Sequence, residues 1–381
     1  MTTRRGHNEG HIYHRDDGRW EAKLSLPNGK RKSFYARSRK EAQDTLRAAQ
    51  RDLDAGLDLG GARQTVGAFL DRWLVDVARP NVRPSTFKSY ESYVRLHIIP
   101  DLGHHQLTKL SPQHIQMMMN AKSAAGLSPR TVQYLRAILR RALGQALKWG
   151  LVTRNVATLV DPPRSQRPDV TPLSPLQARA FLMAAQGDRL EALYSVAIAL
   201  GLRQGEALGL RWADVDLEAG TLRVRHALQR IDGTLQLVEP KTRRSKRTIP
   251  MPPSVVTALR AHRVRQLEER LIAGSRWREH DFIFPSTIGT PADARNIVRR
   301  FHALLDRAGL PSMRFHDLRH TCASLLLAQH VPPRVVMETL GHSQIALTMD
   351  TYSHVMPVMQ REAATLMDQL LTGHGERFGG R

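Results

Sequence analysis

Residues 312–354 hold Arg314-Phe315-His316-Asp317-Leu318-Arg319-His320, then Leu340-Gly341-His342-Ser343, then Asp350-Thr351-Tyr352-Ser353-His354. A phosphodiester can be attacked without a metal when a phenolic oxygen serves as nucleophile. Guanidinium groups must then take up charge on the phosphate oxygens, and imidazoles must move protons. An arginine, several histidines and a late tyrosine in one short stretch supply those groups. Any one of them alone would be an ordinary structural residue, because buried histidines and tyrosines usually find a hydrogen-bond partner.

The elements that must position these side chains can be read from spacing. Pro311 and Ser312 interrupt the preceding segment, and Leu318, Cys322, Leu325 and Leu326 recur at helical intervals. That pattern predicts a buried helix with His316 and Arg319 on its first turn, on one side. Pro332-Pro333 opens a second helix, Gly341 ends it as a C-cap, and His342 falls in the turn that follows. Tyr352 is expected about three turns further on, in polar surroundings. His316 and His320 stand four apart and could form half of a zinc site. The Glu-containing motif of a helical metalloprotease is absent, however, and Arg319 between them would repel a cation, so no metal and no other cofactor is expected.

The chain of 381 residues has room for two or three domains, and its net charge of +22 points to a polyanionic partner. No apolar run reaches the roughly 18 residues of a membrane span. The polar start lacks the apolar segment of a secretory signal, so a cytoplasmic protein without a membrane partner is expected. The one cysteine, Cys322, lies in an apolar helical pattern and is expected to pack, not to react.

In chain order, residues 1–58 read as a small basic module. Three short alternating runs, at 11–13, 20–26 and 32–36, predict strands, with a turn at 27–30, and Ser38 is placed to cap a helix over 39–53. Packing on that helix leaves one sheet face open, which Arg15, Arg19, Lys23, Lys30, Arg31 and Lys32 are expected to line as DNA contacts; a merely solvated surface is the other reading. From residue 65 the period turns helical, with apolar faces over 66–77, 86–98, 111–120 and 129–149. This predicts a four-helix unit over 65–160, where Lys and Arg outnumber Asp and Glu thirteen to four, a balance suited to gripping a phosphate backbone. A proline-rich connector over 161–175 leads to a last domain, 172–372. In it, apolar helices at 176–185 and 190–200 run into Gly201-Leu202-Arg203-Gln204-Gly205-Glu206, where Gly201 ends one helix and Arg203 enters the next. Strands are expected at 221–228, 234–238 and 245–250, with Lys241 at the tip of a hairpin over 240–244.

These motifs resemble those of the tyrosine recombinases, and more narrowly of phage-type and integrative-element integrases. Gly-Leu-Arg-x-Gly-Glu, Lys-Thr-x-x-Ser-x-Arg, His-x-Leu-Arg-His, Leu-Gly-His and a late Tyr stand in the family's order, and the likeness covers nearly the whole length. The resemblance implies a multidomain, mainly α fold with small β elements. Its parts would be a three-stranded sheet plus helix that binds arm-type DNA, a helical core-binding bundle, and an α+β catalytic domain.

It also implies a catalytic set of Arg203, Lys241, His316, Arg319, His342 and Tyr352, with Tyr352 the nucleophile. Lys241 would protonate the leaving 5′ oxygen, while Glu206 and Asp214 would orient Arg203 and nearby backbone. The tail, 357–381, would pack on a neighbouring protomer. The expected partners are double-stranded DNA attachment sites and three further copies in a homotetramer on DNA, with a host DNA-bending protein and an excisionase as accessory factors. The setting would be a bacterial cytoplasm or nucleoid. Three rivals differ in visible ways. A type IB topoisomerase would act on arbitrary duplex, a DNA-binding regulator would lack one of the six residues, and a DDE transposase would need three carboxylates and magnesium.

Overall fold

The computed structural model describes residues 10–26, 29–54, 64–165, 171–240 and 245–341, together with 364, 365, 367, 368 and 371. It forms two compact units, Met1–Arg167 and Pro168–Arg381. Among the described residues no helix is long and apolar enough to cross a membrane.

In the first unit, strands β1 (His11–His14), β2 (Trp20–Ser25) and β3 (Arg31–Ala36) form an antiparallel sheet in the order β1-β2-β3. The register sets Ile12 opposite Ala22 and Ala22 opposite Phe34. Because side chains alternate across a strand, Ile12, Trp20, Ala22, Leu24, Phe34 and Ala36 share one face. They pack on Ala42, Leu46 and Ala49 of the helix Arg39–Asp54. Ser38 starts that helix by accepting the Glu41 N–H at 3.1 Å.

The helical part of this unit begins its turns at Thr65, Ser111 and Ser128, whose hydroxyls accept the backbone N–H groups of Ala68, His114 and Thr131. Pro112 and Pro129 follow two of these caps, where a missing N–H costs nothing. The four apolar faces meet in a core that contains Phe69, Trp73, Val94, Ile98, Leu135 and Leu139.

Two helices widen before a proline. In Val66–Trp73 the ladder passes into a π turn over Leu74–Ala78, where the Arg79 N–H reaches the Leu74 carbonyl. In Pro84–Tyr93 it does so over Val94–Ile98, where Ile99 reaches Val94. Pro80 and Pro100 come next in each case. A proline ring collides with the carbonyl four residues back, and a turn holding one extra residue makes room for it without ending the helix.

The second unit packs helices Pro175–Ala184, Glu191–Leu200, Pro253–Ala273, Ala294–Arg307 and Asp317–Ala328 around one core with Tyr194, Phe181, Phe284 and Phe301 at its centre. The strand expected at 221–228 is two strands. β5 (Thr221–Val224) lies between β4 (Val215–Asp216) and β8 (Arg247–Pro250), whereas β6 (Ala227–Ile231) pairs only with β7 (Thr234–Val238). Asp232 and Gly233 take positive φ values of 49° and 79°, which close the β6–β7 hairpin. β7 and β8 therefore belong to different sheets. The expected hairpin pairing of these two strands is therefore not formed among the described residues; residues 241–244, with Lys241, lie outside them.

Gly201 closes the helix Glu191–Leu200 with φ +60°. A Cβ there would stand 2.3 Å from Leu340 Cδ2 and 3.1 Å from Cys322 Sγ. Gly201→Ala is therefore expected to lower stability by about 2 kcal/mol through left-handed strain and overpacking. Cys322 is the sole cysteine and is buried, so its labelling by a thiol reagent along a urea gradient reads this directly. An unchanged labelling midpoint would contradict the packing described here.

Candidate active site

Arg203 sits at the N-cap of the short helix Gln204–Leu208, and Glu206 is on its first turn. The three-residue spacing lets the carboxylate fold back. It accepts the Arg203 backbone N–H at 3.3 Å and Arg203 Nη1 at 2.6 Å. Glu206 is 3% exposed, and its second cation is Arg247 of β8, whose Nη2 donates to Oε2 at 3.2 Å. Burial alone would raise the Glu206 pKa. The charges of Arg247 and then Arg203 outweigh it and hold the group below the usual carboxylate range.

The same guanidiniums reach carbonyls near helix ends. Arg203 Nη2 donates to Gly341 at 3.3 Å, Arg247 Nε to Thr339 at 2.7 Å, and Arg319 Nη1 to Gly201 at 2.7 Å. Thr339 and Gly341 lie at the end of the helix Pro333–Leu340, and Gly201 closes Glu191–Leu200. Carbonyls there have no partner within the helix and carry the negative end of its dipole, which suits a cation. Arg319, on the first turn of Asp317–Ala328, is only 2% exposed. Arg203 and Arg247 share the Glu206 carboxylate and Arg319 reaches Gly201, two residues before Arg203, so among the described residues the group carries a surplus of positive charge suited to an anion.

His316 immediately precedes that helix and has an open edge to solvent. The part of the ring that is covered, with His320 and then Arg319 adding like charge, pushes its pKa down to about 4, and solvent at the open edge softens the shift. The imidazole is therefore neutral near pH 7 and free to accept a proton. His320 stands edge-on to it at 5.5 Å, and Asp317 holds Arg314 at 2.7 Å. Asp214, expected near Arg203, meets Arg225 instead at 3.4 Å. Cys322 has its thiol pushed up to about 12 by burial and is chemically quiet. A groove of about 500 Å³ lined by Arg223, Arg225, His226, Lys246 and Arg247 opens beside the cluster.

Of the six residues expected to act together, Arg203, His316 and Arg319 are described: Arg319 donates to Gly201, two residues before Arg203, and His316 lies at the start of the Arg319 helix. Lys241, His342 and Tyr352 lie outside the described residues, as does His354. Arg247 was legible only as the last letter of Lys-Thr-x-x-Ser-x-Arg. Nothing in the spacing foretold that it would share Glu206 with Arg203.

The basic residues of the first unit divide. Arg15, Arg19 and Lys23 gather on the open sheet face, where Arg15 and Arg19 lie over the Tyr35 ring at 5.5 and 5.6 Å and Lys23 over Tyr13 at 4.9 Å. Arg15 and Lys23 flank Glu21, which is 2% exposed and accepts from Tyr13 Oη at 2.5 Å and Arg15 Nη1 at 2.8 Å, while Arg19 pairs with Asp17 at 2.7 Å. Hydrogen bonds from Tyr13 and Ser33, helped by the charges beside it, hold the Glu21 pKa down to about 2. Arg31 shares this face by register, opposite Ser25, and Lys30 precedes β3. Lys32 corrects the expectation. It pairs with Leu24 and so belongs to the helix-facing side, its Nζ 6.0 Å from the Phe34 ring centre.

A mainly helical, strongly basic protein that gathers guanidiniums and a neutral imidazole round one carboxylate is suited to phosphodiester chemistry on DNA. Residues 173–358 match the phage integrase family, and residues 65–123 match its N-terminal SAM-like domain. A XerC-like tyrosine recombinase of Caldanaerobacter subterraneus subsp. tengcongensis is 33% identical over 90% of this chain and 93% of its own length. An integrase of Streptomyces ambofaciens is 33% identical over 96% and 97%. The fold is shared with the Tn1549 transposon integrase solved with circular-intermediate DNA, at 23% identity and TM-score 0.65 over 78% of this chain and 99% of that one. A lambda integrase tetramer bound to a Holliday junction aligns at 20% identity and TM-score 0.57 over 91% and 96%. The chain belongs to the phage integrase family of tyrosine recombinases, metal-independent enzymes that cleave and rejoin DNA.

Two outcomes are expected of the site. Glu206→Gln leaves the buried Arg247 without its carboxylate and should cost on the order of 3 kcal/mol in urea unfolding followed through Cys322. The pH dependence has a definite sign, because a depressed His316 pKa means that the folded chain binds this proton more weakly than the unfolded chain. Its contribution to stability is whole above the ordinary histidine value and is withdrawn as pH falls from about 6.5 toward 4. Wild type should thus lose more stability than His316→Phe between about pH 7 and about pH 5. Equal losses would refute a depressed His316.

Proposed function

We propose that this tyrosine recombinase is an integrase that recombines a mobile element with its target at defined attachment sites, through a covalent 3′-phosphotyrosyl intermediate and a Holliday junction. The observation that carries the reading is the cation-rich cluster in which Arg203 and Arg247 share the Glu206 carboxylate while Arg319 reaches Gly201, two residues before Arg203.

In the proposed mechanism Arg203 and Arg319 bind the non-bridging oxygens of the scissile phosphate. The Tyr352 oxygen attacks phosphorus, His316 takes the phenolic proton, and the bond to the 5′ oxygen breaks as Lys241 supplies a proton to it. His342 donates a hydrogen bond to the phosphate. The phosphodiester is exchanged and not hydrolysed, so a 5′ hydroxyl can reverse the step on a new strand without an energy source. Residues 1–58 would hold arm-type sites through Arg15, Arg19, Lys23, Lys30 and Arg31. Residues 65–160 would clasp the core site, and 172–372 would do the chemistry. Four copies would assemble on DNA, the tail 357–381 of each packing on a neighbour, with a bending protein and an excisionase as accessory factors. The reaction would run in a bacterial cytoplasm or nucleoid.

Covalent capture tests this reading. The protein, in EDTA, is mixed with nicked duplexes from its gene's own genomic flanks and with a generic duplex. A denaturant-stable adduct should form on flank DNA only and vanish in Tyr352→Phe, while Arg203→Ala or Arg319→Ala should slow its formation about a hundredfold to a thousandfold. Adducts on both duplexes would indicate a topoisomerase, and binding without any adduct would remove the catalytic assignment.

A further inference from the structure

All three guanidinium nitrogens of Arg247 end on the protein itself. Nε donates to Thr339 O at 2.7 Å, Nη1 to Ser245 O at 3.1 Å and Nη2 to Glu206 Oε2 at 3.2 Å. Its side chain is 8% exposed, against 39% for Arg203. A guanidinium this committed has little left to offer a substrate, yet removing one from water into such a site is costly. Its position at the junction of three segments indicates what it does there.

We infer that Arg247 is a positioning residue that sets both the charge on Arg203 and the placement of the helix end at Thr339 and Gly341. Two effects combine. The guanidiniums of Arg203 and Arg247 bind different oxygens of Glu206, so the carboxylate is divided between two cations and Arg203 keeps positive charge to present outward. Without Arg247, Glu206 would belong to Arg203 alone and neutralise it. The second effect is mechanical. Arg247 grips Thr339 O while Arg203 grips Gly341 O, so the last turn of Pro333–Leu340 is tied at two points to the group that carries Glu206. Gly341 has φ +68°, and a Cβ there would meet Arg247 Nη1 at 2.9 Å, so the turn is shaped around this guanidinium. His342 is the next residue in the chain. The inference rests on the reading that Arg203 handles the scissile phosphate.

The test uses the full-length protein and the flank duplex that gives a wild-type adduct, comparing wild type, Arg247→Met and Arg247→Lys. Adduct formation is followed under single-turnover conditions, DNA affinity by filter binding, and folding by urea titration with Cys322 labelling. Arg247→Met should slow adduct formation about a hundredfold with affinity within about threefold of wild type, a split that loss of a plain DNA contact would not give. Arg247→Lys keeps a charge beside Glu206 but cannot fork to three acceptors, and should recover to about tenfold below wild type. Rates within about threefold of wild type for Arg247→Met would overturn the inference, as would rate and affinity falling together in both variants. If Arg247→Met fails to fold, Arg247→Lys decides alone: a rate about tenfold lower at unchanged affinity sustains the role, and an unchanged rate removes it. Absence of an adduct with wild type would count against the function itself and not against Arg247 in particular.

Discussion

A single buried carboxylate among guanidiniums is the constraint on which the second unit turns. Cations of like sign cannot be collected in a poorly solvated place unless something of opposite sign is fixed there first. Glu206 meets this requirement because a short helix brings it back onto Arg203 and because β8 delivers Arg247 from far along the chain. The remaining positive charge is balanced in part by carbonyls at two helix ends, each left without a partner by the geometry of helix termination. Among the described residues the group is thus left with an excess of positive charge that suits an anion.

The first unit repeats the device on a different scaffold. Glu21 lies on the open sheet face, and Arg15 and Lys23, which could meet a polyanion, are arranged around it. A carboxylate on a surface meant for DNA would ordinarily weaken binding. Here it is sealed beneath Tyr13 and its cationic neighbours, so its effect is to fix where the cations stand. In both units an acid serves as scaffold for bases.

Much of this was legible in the sequence, for reasons that differ from residue to residue. Gly201 announces itself because an apolar helical run stops at a glycine just before Arg203, and His316 and Arg319 because a proline break precedes a helical repeat. The strand expected at 221–228 is two because the alternation breaks at Arg225 and His226, two polar residues in a row, and the chain changes sheets there. Lys32 was assigned to the wrong face because its charge suggests solvent, while register with Leu24 decides otherwise. The role of Arg247 is set by contacts with Glu206 and Thr339, 41 and 92 residues away in the chain. No local pattern can carry that.

The π turns at Leu74–Ala78 and Val94–Ile98 have a bearing beyond the prolines they accommodate. Each inserts one residue into a helix, and one residue is worth about 100° of rotation about the axis. Every side chain beyond the insertion is swung by that angle relative to an unbroken helix, so the rotational phase of Arg79 and Arg83, and of the turn that leads to His104 and His105, is written into the bulge. A chain lacking one residue at either place could keep its composition, its charge and most of its apolar contacts, and still aim a basic surface in the wrong direction. In this helical unit, insertions and deletions would act as changes of angle before they act as changes of length.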